Sequence, residues 1–151
     1  MWIESLLGTV LEATCNMNEA DLILFLKDSG DFARVGDRAL GELVRTGVVR
    51  DSNPGTEIVR QGETSQQIWI LLEGELEILI DGETVNSVSS PGEVVGQISA
   101  VSMIPATATV RVSTPSRCLS VPHQALHGLF GAYPDLAAAL LRSMAKYLGA
   151  K

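Results

Sequence analysis

Between Val48 and Pro122 the chain is a succession of short β-branched and apolar runs cut at close intervals by turn residues, a texture that belongs to antiparallel sheets. The runs are residues 48–50, 57–60, 67–72, 75–80, 83–88, 94–95, 107–112 and 117–121. Leu76, Ile78 and Ile80 alternate with Glu75 and Glu77, so that strand is expected to bury one face and wet the other. Asp81-Gly82 between two such runs is a two-residue hairpin signal. About eight short strands closed by turns predict a double-sheet roll of the jelly-roll type.

Helical patterns flank this region on both sides. Trp2, Ile3, Leu6, Leu7, Val10 and Leu11 recur at three- and four-residue spacing and predict an amphipathic helix, a candidate dimer or partner surface. Asn18 followed by Glu19 and Asp21 is a helix start whose apolar face is Leu22, Ile23, Phe25 and Leu26, with Ser29-Gly30 as its stop. A third helix is expected over 37–46, ending at Gly47. After the last strand, Pro122 leads into a helix over 123–133, and Pro134-Asp135 starts another through Leu148. The organisation is thus α+β: a helical segment 1–47, an eight-stranded antiparallel β-roll 48–122 and carboxy-terminal helices 123–151, all in one structural domain.

Composition removes several functional classes. With 46% hydrophobic and 19% charged residues, 151 residues suffice for a folded core. The 11 Lys and Arg against 18 Asp and Glu leave a net charge of -7. No basic stripe is present, so this chain is not expected to bind nucleic acid by itself. Cys15 and Cys118 form neither a disulfide framework nor a metal spacing, which fits thiols in a reducing cytosol and a cytoplasmic location. No apolar run approaches the roughly 20 residues of a membrane span, and Met1 to Leu11 lacks the features of a signal peptide. His123 and His127 share a helical face but lack a third ligand, and no histidine falls on a strand, which argues against a metal-holding roll of the cupin type. No nucleophile elbow or metal set appears, so no catalytic residue is assigned.

The stretch from Gly92 to Val110 is the candidate for a ligand cradle. Pro91-Gly92 is a turn, Val94-Val95 a short strand, Gly96 frees the backbone, and Gln97 to Met103 is a weakly helical segment of small residues. Pro105, Ala106, Thr107, Ala108 and Thr109 then lead into the next strand. A helix of one or two turns there directs unpaired N–H groups outward and attracts a small anion, or else serves as a plain corner between strands.

Taken together, the Pro91-Gly92 turn, Gly96 opening a short apolar helix, and Pro105 followed by small residues, Thr and Val resemble the phosphate-binding cassette of the cyclic nucleotide-binding domain family. The Pro54-Gly55 turn, Gly62, and the run from Ile68 to Leu72 ending in Glu73-Gly74-Glu75 resemble the same family's β-roll. The likeness extends over roughly Phe32 to Leu148. It implies a ligand set of Gly96, Gln97, Ile98, Ser99, Ala106 and Thr107. The family's cassette reads Gly-Glu-Leu-Ala, with the glutamate on the ribose hydroxyl, then Pro-Arg-Ala-Ala-Thr, with the arginine on the cyclic phosphate. Those two positions are Gln97 and Ala106 here.

Losing a charge-assisted guanidinium–phosphate pair costs about 1.5–3 kcal/mol, roughly tenfold to more than a hundredfold in affinity. The resemblance therefore implies a non-enzymatic regulatory or sensor module in signal transduction whose binding of cyclic AMP or cyclic GMP is weak or lost, with no cofactor. The alternative is a ligand-free dimerisation or docking domain of a larger regulator, transporter or channel. In the resembled family the last helix carries the signal and pairs to form a dimer. Here the sequence stops at Lys151 without a helix-turn-helix, which is read as a sensor or scaffold without its own output domain, or as a piece separated from one. By strand alternation Arg111 shares a side with Thr107 and Thr109 and is a candidate substitute for the missing arginine.

Overall fold

The computed structural model describes residues 18–29 and 31–148, so the expected helix over residues 2–11, and Cys15, lie outside the described residues. The first described helix, α1 (Glu19–Lys27), begins as its sequence requires. Asn18 Oδ1 accepts from the Asp21 N–H at 2.9 Å, and the Asp21 carboxylate accepts from the Asn18 N–H at 3.4 Å, a reciprocal capping box. Helix α2 (Asp37–Thr46) stops at Gly47, whose N–H reaches the carbonyls of Leu43 and Val44. Its other end starts at Gly36, which has no side chain to cap with. Asp135, 99 residues away, meets a different donor there: its Oδ2 accepts the Gly36 N–H at 2.8 Å and sets a negative charge at the helix start.

Six antiparallel strands follow: β1 (Val48–Ser52), β2 (Glu57–Val59), β3 (Gln67–Ile80), β4 (Glu83–Val88), β5 (Val94–Val95) and β6 (Thr109–Pro122). Their order is β1-β6-β3-β4, with β2 also beside β6 and β5 beside β3. The expected eight strands become six because two pairs fuse. Runs 67–72 and 75–80 form β3, and runs 107–112 and 117–121 form most of β6, two 14-residue strands paired from Gln67↔Pro122 to Leu79↔Thr109. Glu73-Gly74 reads in the sequence as a break, but the chain passes through it as a bulged bend, with register shifts between Leu71 and Leu76.

Gly74 sits at φ +106°, and a Cβ there would lie 2.2 Å from Ser116 Oγ and 2.7 Å from Ser116 Cα on β6. Ser116, fully buried, uses that space: its Oγ accepts the Glu75 N–H at 3.1 Å and donates to the Thr114 carbonyl at 2.7 Å. The side chain thus satisfies backbone groups that the bulge removes from the ladder.

A second irregularity between Ile78 and Leu79, in the β3–β4 pairing, resets the alternation. Leu76 is buried as expected, but Leu79 turns inward and Ile80 is left 42% exposed. The Asp81-Gly82 hairpin forms as predicted, both residues at positive φ.

The apolar side chains divide into two cores. Val59, Leu71, Leu76, Val88, Val95, Val110, Val112 and Cys118 fill the inside of the roll. Ile68, Ile70, Leu72, Leu119 and Val121 face the other way, against α1, α2 and the carboxy-terminal helices α4 (His123–Ala132) and α5 (Pro134–Leu148). Because β3 is covered on both faces, its run Ile68 to Leu72 is apolar without alternation. The carboxy-terminal helices agree with the expected bounds, the first ending one residue early.

Candidate functional site

The chain between β5 and β6 forms the short helix α3 (Gln97–Ser102). Strand β5 anchors it, pairing Val95 with Trp69 and Val94 with Ile70. Gly96 turns the chain into the helix at φ +77°, and a Cβ there would stand 3.1 Å from Val59 Cγ2 and 3.3 Å from the Gln67 carbonyl, so the position takes only glycine without strain. Met103 ends the helix in the left-handed region, donating its N–H to the Ser99 carbonyl at 2.7 Å. Such a conformation is uncommon for a bulky side chain.

Of the expected ligand set, Gly96, Gln97 and Ser99 come together at the start of α3, and Ala106 shares the roll interior with Val59, the residue Gly96 abuts. Ser99 is a structural tie. Its Oγ accepts the Ser65 N–H at 2.7 Å and donates to the Ile104 carbonyl at 2.5 Å, fastening α3 to the loop before β3 and to its own exit. The backbone of Ala106 is equally committed, donating to the Glu63 carbonyl and accepting from the Gly62 N–H, both at 2.9 Å. Ile98 belongs to α3, and its side chain lies outside the described set.

Thr107 is exposed and precedes the strand rather than starting it; β6 begins at Thr109, whose Oγ1 accepts the Gln61 N–H at 3.0 Å. The expected strand start is late by two residues because Pro105 and Ala106 are already paired with residues 62–64, and the chain must bend before it can join β3.

Gln97 is 3% exposed. Its Nε2 donates to Ser143 Oγ on α5 at 3.3 Å, and its Oε1 is buried without a hydrogen-bond partner. Ser143 is itself 1% exposed and was not singled out from the sequence. The available signal was a serine one turn after Ala139 and Leu140 and two turns after Leu136, inside an otherwise apolar helical stripe.

Arg111, the candidate substitute cation, forms a two-donor pair with Glu77 Oε2 across β6 and β3, at 2.9 Å from Nη2 and 3.1 Å from Nε. A cleft of about 220 Å³ opens beside β2 and the start of β3, lined by Glu57, Val59, Arg60, Ser65, Gln67 and Trp69 among others; none of the six expected residues lines it, but Gly96 abuts its Val59 and Gln67, and Ser99 bonds its Ser65. His123 and His127 stand edge to face, ring centres 6.1 Å apart, and among the described residues no cluster of three metal-ligating side chains occurs. No helix among them is long and apolar enough to cross a membrane.

The cyclic nucleotide-binding domain model matches residues 49–133, more than half of the sequence, and this chain belongs to that family. It is 28% identical over 107 residues to the HTH-type transcriptional regulator Cmr of Mycobacterium tuberculosis, covering 69% of this chain and 44% of that protein, so it spans less than half the length of that relative. Among solved structures it is similar to the catabolite activator protein of Thermus thermophilus, with TM-score 0.71, 19% identity, and 80% of this chain against 58% of that one. It is likewise similar to the N-terminal domain of a transcriptional regulator from Streptomyces coelicolor, with TM-score 0.66, 26% identity, and 82% against 91% coverage.

Proposed function

We propose that this domain is a non-enzymatic, cytoplasmic regulatory module of the cyclic nucleotide-binding type in which binding of cyclic AMP or cyclic GMP is weak or lost. The carrying observation is the state of the two cassette positions. Residue 97 is a neutral amide turned to Ser143, and residue 106 is a methyl group 8% exposed in the interior of the roll. Arg111 is engaged through Nε and Nη2 with Glu77, whose negative charge competes with a phosphate for that guanidinium. The missing ionic contact is expected to lower affinity roughly tenfold to more than a hundredfold.

Calorimetry with cyclic AMP and cyclic GMP tests the reading. A dissociation constant at or below about 10 micromolar for either nucleotide overturns it. In that event Arg111→Ala identifies the cation, since an affinity unchanged in that variant removes Arg111 from the site.

A second reading, a ligand-free homodimerisation or docking domain without nucleic-acid contacts of its own, draws on Leu141 of α5 and Leu24 of α1, each 66% exposed. Deleting α5 would not test it, because Leu136 and Leu140 of the same helix belong to the core. Leu141→Glu keeps those contacts. An oligomeric state and partner binding unaltered by that change count against the second reading.

A further inference from the structure

Among the described residues, helix α5 is held to the body of the domain by an apolar stripe and by polar contacts at Asp135 and Ser143. Leu136, Ala139 and Leu140 are buried at the spacing of one helical face, and Ser143 continues that face. Apolar contacts of this kind are nondirectional and tolerate sliding or tilting of a helix. Hydrogen bonds do not: the Asp135 carboxylate receives the Gly36 N–H at the start of α5, and Ser143 Oγ receives the Gln97 amide eight residues later. At about 1.5 Å of rise per residue the two points lie roughly 12 Å apart along the helix. One point ties the start of α5 to Gly36 before α2 and the other ties its middle to α3, so together they restrain the tilt of α5 across the domain.

From this geometry we infer that the Gln97–Ser143 contact is a clasp that keeps α5 docked on the cassette helix α3 in the absence of any ligand, so that Ser143 occupies the side chain at position 97. Several observations combine. Both groups are at least 97% buried, so neither can exchange the contact for water without the helix moving. Oε1 of Gln97 is already unpartnered, and separating α5 from α3 without hydrating the pair would orphan Nε2 as well. A neutral amide can occupy this dry position, whereas a carboxylate would carry an uncompensated charge there. The amide that stands in place of the family's ribose-binding glutamate is therefore also what permits the clasp. The inference rests on the reading that Gln97 no longer serves a tightly held ligand, yet it concerns the domain alone.

Hydrogen exchange of the ligand-free protein tests it, with the amides of β3 and β6 as internal reference. Ser143→Ala and Gln97→Met, the second keeping the side-chain volume, are each expected to speed exchange in α5 about fivefold relative to the reference strands, the effect of losing one net hydrogen bond. Because both variants delete the same contact, Ser143→Ala combined with Gln97→Met is expected to give about fivefold again rather than the product of the two. Multiplying effects, or acceleration shared equally by α5 and the strands, overturn the clasp. Should Ser143→Ala not fold, Gln97→Met against wild type decides the question by the same ratio. Since no nucleotide is present, failure here leaves the calorimetric test of binding untouched, and tight binding there does not alter the exchange ratio.

Discussion

Replacing Gly74 by alanine puts the account of the bent sheet at risk in a quantitative way. Two costs add. Alanine at φ +106° leaves the region open to L residues, a penalty of about 1–2 kcal/mol. Its Cβ would also stand 2.2 Å from Ser116 Oγ and 2.7 Å from Ser116 Cα, so backbone as well as side chain must shift. That movement disturbs the buried Oγ that receives the Glu75 N–H, adding about 1–3 kcal/mol for a polar group stripped of its partner. The expected loss is therefore about 2–5 kcal/mol, or roughly 5–20 °C in melting temperature for a domain of this size.

The internal control is Gly62→Ala. Gly62 is also at positive φ, +86°, but a Cβ there meets nothing within 4 Å, so only the conformational penalty applies. Urea unfolding of the two variants beside wild type separates the terms. If Gly74→Ala is no less stable than Gly62→Ala, the close crossing of β3 over β6 is not what shapes the roll, and the explanation for six strands in place of eight fails with it.

Two further outcomes follow from burial. In Gln97→Glu the carboxyl would sit where water is excluded and its proton would be held above the ordinary carboxylate range, so the native state keeps a proton that the unfolded state releases. Stability of that variant is expected to match wild type most closely below about pH 4 and to fall by up to about 1.4 kcal/mol per pH unit as pH rises toward the folded-state value; a penalty that does not vary with pH refutes the dry environment. Burial inside the roll pushes the Cys118 thiol up to about 12. In a Cys15→Ser background the native protein should leave a disulfide reagent unreacted at pH 8 and react fully in denaturant, and stability should decline above about pH 9 as the unfolded thiol ionises first. Rapid reaction of the folded protein contradicts the interior placement.

How much of this was legible beforehand can be judged from particular residues. The helix start at Asn18 and the Asp81-Gly82 hairpin formed as read, because each depends on neighbours in the chain. The bounds of α2 and the start of α5 were equally local. Strand number was not, since Gly74 ends a strand or bends one according to whether a second strand lies against it, and that strand is 42 residues away at Ser116. Ile80 and Leu79 exchanged faces for a similar reason, a slip in the pairing with β4.

The candidate site divides in the same way. Gly96 and the replaced charges at Gln97 and Ala106 are visible in the order of residues, because the identity of a side chain states what it is able to bind. That sequence alone determined a roll of the cyclic nucleotide-binding type, and on the reading proposed above a cassette without its ionic pair. Where Gln97 points, and that Ser143 meets it, was decided only when α5 packed back across α3, bringing together two groups 46 residues apart. Local propensity is written in neighbouring residues, but a hydrogen bond between distant helices exists only once the cores beneath them have set their distance and angle.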